Sequence, residues 1–190
     1  MAVTSILLCG VGGQGILLAS DIIADVCMVN NFDVKKSEVH GMSQRGGAVV
    51  STVRYGEKVY SPITDIADID YIVAFEKLEA LRNIKWLKKD GSIIVNDYSI
   101  NPITVATAQM EYPKGVIETL RSIIDNIDVI NAFEISEGLG NIRVMNTVLI
   151  GLLAKKIGFP KEIWLEVIKR RVPKKAIDIN IKAFDIGYNR

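Results

Sequence analysis

The sequence predicts an α/β fold: a doubly wound, mostly parallel sheet with helices on both faces. Three observations point to it. Ile and Val dominate the apolar residues, 28 and 19 against 13 Leu, and β-branched side chains suit strands buried on both faces. Short apolar runs alternate with stretches whose apolar residues recur at three- and four-residue steps, the rhythm of strand followed by helix. The first run passes directly into a glycine turn and then a helix. The 190 residues are near the ~150 usual for a domain, so 1–190 is expected to be a single domain, with C-terminal helices from about 160.

Val3–Cys9 reads as a central strand, apolar on both faces. From Ile16 to Met28, the residues Ile16, Ala19, Ile22, Ile23 and Val26 keep helical spacing, and Asn30 and Asn31 break the helix. Phe32 to Val39 is a second strand that Lys35 and Lys36 make too polar for full burial, hence an edge or short strand. Ala48–Tyr55 is strand-like, and Gly56-Glu57-Lys58 is expected to turn it into Val59-Tyr60 as an antiparallel hairpin. The second half reads as a strand at Asp70–Phe75, a helix at Lys77–Lys88, a turn at Asp90-Gly91 and a strand at Ser92–Asn96. It continues with a helix at Gly115–Asp125, a strand at Asp128–Ala132 and a long helix at Ile142–Ile157, which Gly158 and Pro160 stop. Lys161–Arg170 and Lys174–Ile186 read as terminal helices.

Composition excludes several classes of function. The net charge is +1, from 23 basic and 22 acidic side chains, which offers no electrostatic footprint for nucleic acid or an anionic membrane. The longest apolar stretches, such as Val148–Ala154, fall far short of the ~20 residues that cross a bilayer. The start lacks a basic segment and a cleavage site, so it reads as a strand rather than a secretion signal, and a cytoplasmic protein is expected. Cys9 and Cys27 are unclustered and read as buried reduced thiols, and with the single His40 they leave no metal site.

Gly10, Gly12 and Gly15 fit G-x-G-x-x-G between a strand and a helix. The loop Gly10, Gly12, Gly13, Gln14, Gly15 is therefore a candidate anion site, with main-chain N–H groups at a helix amino end offered to a phosphate or carboxylate. The glycines serve equally well if they only let strand and helix pack closely. For NAD the pattern needs a carboxylate ~20 residues on, and Glu38 is the only tolerable candidate.

The segment from Ser37 to Val49 holds three glycines and Arg45, whose guanidinium suits a forked contact to a carboxylate or phosphate. A solvated arginine on a flexible turn is the plainer alternative. Asn146 lies among apolar residues of the long helix and, if buried, must find a hydrogen-bond partner, for which the glycine-rich loop is one choice. The basic clusters Lys169–Arg171 and Lys174-Lys175 read as solvated faces.

Taken together, Gly10-Val-Gly-Gly-Gln-Gly-Ile16, then Ser37-Glu-Val-His-Gly-Met-Ser-Gln-Arg-Gly-Gly47, then Asn146-Thr-Val-Leu-Ile-Gly-Leu-Leu153 resemble the gamma-type domain of 2-oxoacid:ferredoxin oxidoreductases over essentially the whole chain. His40-Gly41-Met42-Ser43-Gln44 stands where the pyruvate and ketoisovalerate branches have Tyr-Gly-Pro-Glu, so the likeness is strongest to the small subunit of the indolepyruvate branch. The resemblance implies a Rossmann-like fold. It also implies a large partner subunit that carries thiamine diphosphate, Mg2+ and [4Fe-4S] clusters, oxidatively decarboxylates the 2-oxoacid, reduces ferredoxin and passes the acyl group to coenzyme A. This chain holds none of those cofactors and is expected to be inactive alone, working in a hetero-oligomer, with a homodimer as its isolated form. Gly41, Ser43, Gln44, Arg45, Gly46, Gly47 and Asn146 are the expected contacts to coenzyme A, substrate or partner. His40 is a catalytic candidate ranked below an ordinary hydrogen-bonding role. Two rivals stand: a free-standing NAD(P)-binding protein, and a non-catalytic domain for an acidic small ligand.

Overall fold

In the computed structural model the described residues are 3–40, 47–101 and 111–190, His40 as main chain only. The strands are β1 Thr4–Val11, β2 Asp33–His40, β3 Ala48–Gly56, β4 Ile69–Ala74, β5 Leu87–Asn96 and β6 Ile127–Ile130. They form one sheet in the order β2-β3-β1-β4-β5-β6. β1 pairs in parallel with β4, β4 with β5 and β5 with β6, whereas β3 runs antiparallel to both β1 and β2. The described helices are α1 Ile16–Val29, α2 Lys77–Asn83, α3 Val116–Ile123, α4 Ala132–Gly138, α5 Met145–Ile157, α6 Lys161–Arg171 and α7 Ile177–Tyr188. None of them is long and apolar enough to cross a membrane.

Alternation along the strands splits the core in two. Ile6 and Leu8 of β1, Val53 of β3, Val73 of β4 and Ile94 of β5 face one side, where they pack with Ile22, Ile23, Val148, Leu149, Trp164 and Phe184 of α1, α5, α6 and α7. Leu7, Cys9, Ile72, Ala74, Ile93 and Val95 face the other, against Ala80 of α2 and Val116 and Leu120 of α3. A central strand apolar on both faces is thus covered on both, as its composition requires.

The antiparallel element differs in its partner from the sequence reading. Val59-Tyr60 is not a strand; β3 pairs instead with β2 over eight positions, from Asp33↔Gly56 to His40↔Val49. The lysines that made β2 look weak are neutralised. Lys35 pairs with Asp33 at 2.6 Å, and Lys36 pairs with Glu38 at 2.6 Å and with Asp21 of α1. β2 is an edge strand, as its polarity predicts. Val59 is buried, and its N–H donates to the Asp33 carboxylate at 2.9 Å, which folds the chain leaving β3 back along the start of β2.

Three boundaries also move. The helix expected at 77–88 ends at Asn83, a 3-10 turn follows at Ile84–Trp86, and β5 begins at Leu87. The turn expected at Asp90-Gly91 is a bulge inside β5, since Ile69 pairs with Leu87 but Tyr71 with Ser92. The strand expected to reach Ala132 stops at Ile130, and the helix α4 that follows was missed. Its start carries a readable signal: Asn131 accepts from the Glu134 N–H at 3.1 Å, an N-cap with glutamate at the third helical position. The long helix runs from Met145 to Ile157 after a 3-10 turn and ends at Gly158, as expected.

Candidate functional site

The glycine loop joins the carboxyl end of β1 to α1, and a buried glutamine organises it. Gln14 turns back into the loop. Its Oε1 accepts from the Val11 N–H at 2.7 Å, and its Nε2 donates to the Phe75 carbonyl, just past β4, at 2.9 Å. A Cβ on Gly10 would lie 2.5 Å from Gln14 Oε1 and 2.8 Å from Phe75 Cβ, so the glycine is what admits the glutamine. Both polar atoms of the Gln14 amide thus bond within the loop's own frame, and the residue also lines the cleft described below.

At the other end of the loop, Gly15 has φ +78° and starts α1. A Cβ there would lie 2.7 Å from Asn146 Nδ2, which donates to the Gly15 carbonyl at 3.3 Å. Asn146 is buried on α5 and so caps the glycine-rich loop, the partner its sequence position called for. Thr147 extends the chain of contacts, with its hydroxyl 3.2 Å from Asn146 Oδ1 and donating to Asn180 Oδ1 of α7 at 2.6 Å.

The second motif reaches the same edge because β3 is antiparallel. Val11, the last residue of β1, pairs with Ala48, the first of β3, and His40, the last of β2, pairs with Val49. The Gly12 N–H donates to the Gly47 carbonyl at 2.9 Å, tying the first glycine loop to the end of the second. Gly41, Ser43, Gln44, Arg45 and Gly46 lie outside the described residues, as does the His40 side chain.

Beside this junction a cleft of about 520 Å³ opens among the segments that follow the carboxyl ends of β1, β5 and β6. This is where a doubly wound sheet places ligands, at the point where the connections diverge to either side of β1. Gly12, Gly13, Gly15 and Asn146 form one wall, and Tyr98, Ile100, Phe133 and Arg143 the other. The Tyr98 and Phe133 rings stack with centroids 4.5 Å apart and planes 11° from parallel, and the Arg143 side chain is exposed at the rim. The arrangement offers a flat aromatic wall, a cation and main-chain amides at a helix start, a set suited to a ligand that is part planar and part anionic. The sequence reading missed the second wall, whose members come from the segment after β5, from α4 and from the 3-10 turn before α5, with no shared spacing.

Two further buried groups hold the site's frame. Asn96, at the end of β5, donates to the Phe75 carbonyl at 3.0 Å and accepts from the Ala132 N–H at 2.9 Å, so Gln14 and Asn96 converge on one carbonyl. Glu76, also buried, caps α2 by accepting from the Glu79 N–H at 3.0 Å, and it accepts from the Tyr112 hydroxyl and the Ile100 N–H. Burial, and then the Glu76 carboxylate, keep the Tyr112 hydroxyl protonated far above its ordinary range. Burial also raises the Glu79 carboxyl, against the pull of Arg82.

Cys9 and Cys27 are free and buried, as expected. Cys9 faces the α2 side of the sheet and donates to the Glu79 carbonyl at 3.5 Å, while Cys27 lies in the core on the other side. Burial pushes Cys27 up to about 12 and Cys9 well above the thiol range. Two neutral thiols on opposite faces of a sheet do not fit an iron-sulfur cluster, which takes four thiolates. Among the described residues no group of three or more His, Cys, Asp or Glu is placed to hold a metal. The NAD reading fails on topology: Glu38 lies on β2, with β3 between it and β1, roughly 10 Å or two strand spacings away, and it is paired with Lys36.

The fold and cleft define a class: a mixed-sheet α/β domain with a braced glycine loop at its carboxyl edge. Residues 5–190 match the model of the pyruvate ferredoxin/flavodoxin oxidoreductase family, and the chain belongs to that family. It is 39% identical to indolepyruvate oxidoreductase subunit IorB of Pyrococcus horikoshii, over 96% of this chain and 93% of that one, in line with the branch that the second loop predicts. Among solved structures, the pyruvate oxidoreductase subunit PORC of Thermotoga maritima superposes with a TM-score of 0.75 at 21% identity, covering 100% of this chain and 97% of that one. A 2-oxoglutarate:ferredoxin oxidoreductase of Magnetococcus marinus, solved with 2-oxoglutarate, coenzyme A and succinyl-CoA bound, superposes with a TM-score of 0.78 at 20% identity. That match covers 100% of this chain but 31% of the longer one.

Proposed function

We propose that this chain is the small subunit of an indolepyruvate or related arylpyruvate:ferredoxin oxidoreductase, and that its cleft and second loop receive coenzyme A at the acyl-transfer step. The large subunit would hold thiamine diphosphate, Mg2+ and [4Fe-4S] clusters, which would supply the chemistry for oxidative decarboxylation of the 2-oxoacid and electron transfer to ferredoxin. The residues of this chain bind and orient. Arg143, and Arg45 on the second loop, meet phosphate or carboxylate charge; the amides at the start of α1 add fixed partial charge. The Tyr98–Phe133 pair gives a planar group a surface to lie on and keeps water from it. Gln14, Asn96 and Asn146 hold the loop so that these groups do not reorganise on binding.

The observation that supports the reading is the Gly12–Gly47 hydrogen bond, which ties the first glycine loop, beside the cleft, to the described end of the second motif. The test is co-expression with the large subunit, followed by assay of viologen reduction on a panel of 2-oxoacids with coenzyme A. Aromatic 2-oxoacids should be the preferred substrates. A complex that fails to form, or one with no 2-oxoacid activity, would overturn the proposal.

A further inference from the structure

The turn after β4 joins the two walls of the cleft, and each of its residues Phe75, Glu76 and Lys77 bonds to a different part of the site. The Phe75 carbonyl accepts from Gln14 of the glycine loop at 2.9 Å and from Asn96 at 3.0 Å. The Lys77 N–H donates to the Tyr98 carbonyl at 3.1 Å, and the Lys77 ammonium pairs with Asp97 at 2.9 Å. Between them, Glu76 sends one carboxylate oxygen each way. Oε2 accepts from the Glu79 N–H at 3.0 Å, whereas Oε1 accepts from the Ile100 N–H at 3.4 Å and from the Tyr112 hydroxyl. Tyr98 and Ile100 line the cleft, and the Tyr98 ring stacks on Phe133.

Glutamate is an unusual choice for the place Glu76 fills. It is the N-cap of α2, with extended backbone at φ −144° and ψ 135°, a position that favours Asp, Asn, Ser or Thr, whose short side chains reach the N–H groups of the first turn. Glu76 is also only 1% exposed, and a carboxylate is costly to bury unless hydrogen bonds satisfy it. A cap alone needs neither the extra methylene nor the second oxygen. The longer side chain is what lets Oε1 reach Ile100 and Tyr112 while Oε2 stays on the helix. Ile100 belongs to no helix or strand, so the carboxylate gives its N–H the partner that a ladder supplies elsewhere.

We infer that Glu76 is a positioning residue for the cleft: through Ile100 it holds the wall that carries Tyr98 at a set spacing from the glycine loop, so the ligand meets a preformed surface. The inference rests on the reading above that the cleft receives coenzyme A. Glu76 itself touches no ligand; it acts through the main chain of 98–100. The other half of the aromatic pair is fixed separately, by the Asn96 bond to the Ala132 N–H at 2.9 Å, one residue before Phe133. Both halves of the wall are thus anchored to groups that also meet at the Phe75–Glu76 turn, and through Gln14 that turn holds the opposite wall. A wall fixed before binding spares the ligand the cost of ordering it.

Glu76→Asp separates capping from positioning. Aspartate is a favoured N-cap, so α2 keeps its cap and the chain its fold, which thermal melting checks, but the shorter side chain no longer spans to Ile100. In the assembled enzyme the KM for coenzyme A should rise roughly fivefold, while kcat and the KM for the 2-oxoacid stay within about twofold, the pattern of weakened ligand binding rather than of less folded enzyme. Arg143→Ala, assayed beside it, tests the cleft assignment itself. A KM for coenzyme A raised by Arg143→Ala but not by Glu76→Asp would overturn the positioning role alone. If neither raises it, the cleft assignment falls and the positioning role falls with it. A second readout needs no variant: in the wild-type chain without ligand, the Ile100 amide should exchange with deuterium at least about tenfold more slowly than an unstructured amide. Exchange there at the unstructured rate would overturn the inference.

Discussion

The Gly12 N–H and the Gly47 carbonyl meet at 2.9 Å, although the two glycines, one from each glycine-rich motif, lie 35 positions apart in sequence. Nothing in either motif specifies that contact. It follows from the reversal of β3, which lays its first residue beside the last residue of β1. A fully parallel sheet would have put Gly47 at the opposite edge, away from the cleft.

Gln14 is the brace of the first loop, so Gln14→Leu should be destabilising without touching the second. It orphans the buried Val11 N–H, at about 1–3 kcal/mol, and removes one of two donors to the Phe75 carbonyl. Gly10→Ala should lower stability by a similar amount, because its Cβ would sit on Gln14 and Phe75. Urea denaturation at fixed pH measures both. A change below about 0.5 kcal/mol in either, the level of an ordinary surface substitution, would contradict the brace.

Gly15 and Asn146 should be energetically coupled. Gly15→Ala suffers twice, from its left-handed φ at about 1–2 kcal/mol and from the overlap with Asn146 Nδ2. Asn146→Ala removes the overlap but not the strain. A double-mutant cycle should show the double variant less destabilised than the sum of the singles by about 0.5–2 kcal/mol. Strict additivity would place Asn146 elsewhere.

Alkaline pH should unfold the protein through its thiols. Burial pushes Cys27 up to about 12, so between the ordinary thiol range and that value the native state keeps a proton that the unfolded chain has lost. Stability is therefore full below about pH 8.5 and falls as pH rises toward 12, by roughly 1.4 kcal/mol per pH unit at most for one thiol. Cys9 is displaced in the same direction and adds to the loss. Cys27→Ala should shrink the fall in urea midpoint between pH 8 and pH 10.5, whatever its effect at pH 8. In the native protein at pH 8, neither thiol should react with iodoacetamide until the chain is unfolded, which mass spectrometry reads directly.

The cleft's second wall should report on coenzyme A. In the assembled enzyme, Arg143→Ala and Tyr98→Ala are expected to raise the KM for coenzyme A about tenfold, the scale of one lost charged or stacked contact, with the KM for the 2-oxoacid unchanged. A rise in the 2-oxoacid KM instead would assign the cleft to the substrate.

The α/β class, the central strand, the edge character of β2, α1 and the terminal helices were all legible because each depends on local periodicity. Less legible were features set by pairing. β2 and β3 are joined through 41–47, and that connection reads as a motif rather than a turn, so the hairpin was placed one strand too late. The two lysines marked β2 as an edge strand, but not that their carboxylate partners include Asp21, on a neighbouring helix. The candidate site divides in the same way. Its glycines and Asn146 stood out as a pattern and a lone buried amide, whereas Tyr98, Phe133 and Arg143 are unremarkable in sequence and converge only after β5, β6 and α5 are in place.

The central claim is that this chain completes a two-subunit enzyme through its carboxyl-edge loops. Its most direct test is steady-state viologen reduction with indolepyruvate and coenzyme A, comparing the large subunit alone, the wild-type complex and the complex carrying Arg45→Ala. The expected result is turnover only with both subunits, and a KM for coenzyme A or 2-oxoacid raised about tenfold by Arg45→Ala with assembly unchanged. Full turnover by the large subunit alone, or an Arg45→Ala complex with unchanged assembly and unchanged kinetic constants, would contradict it.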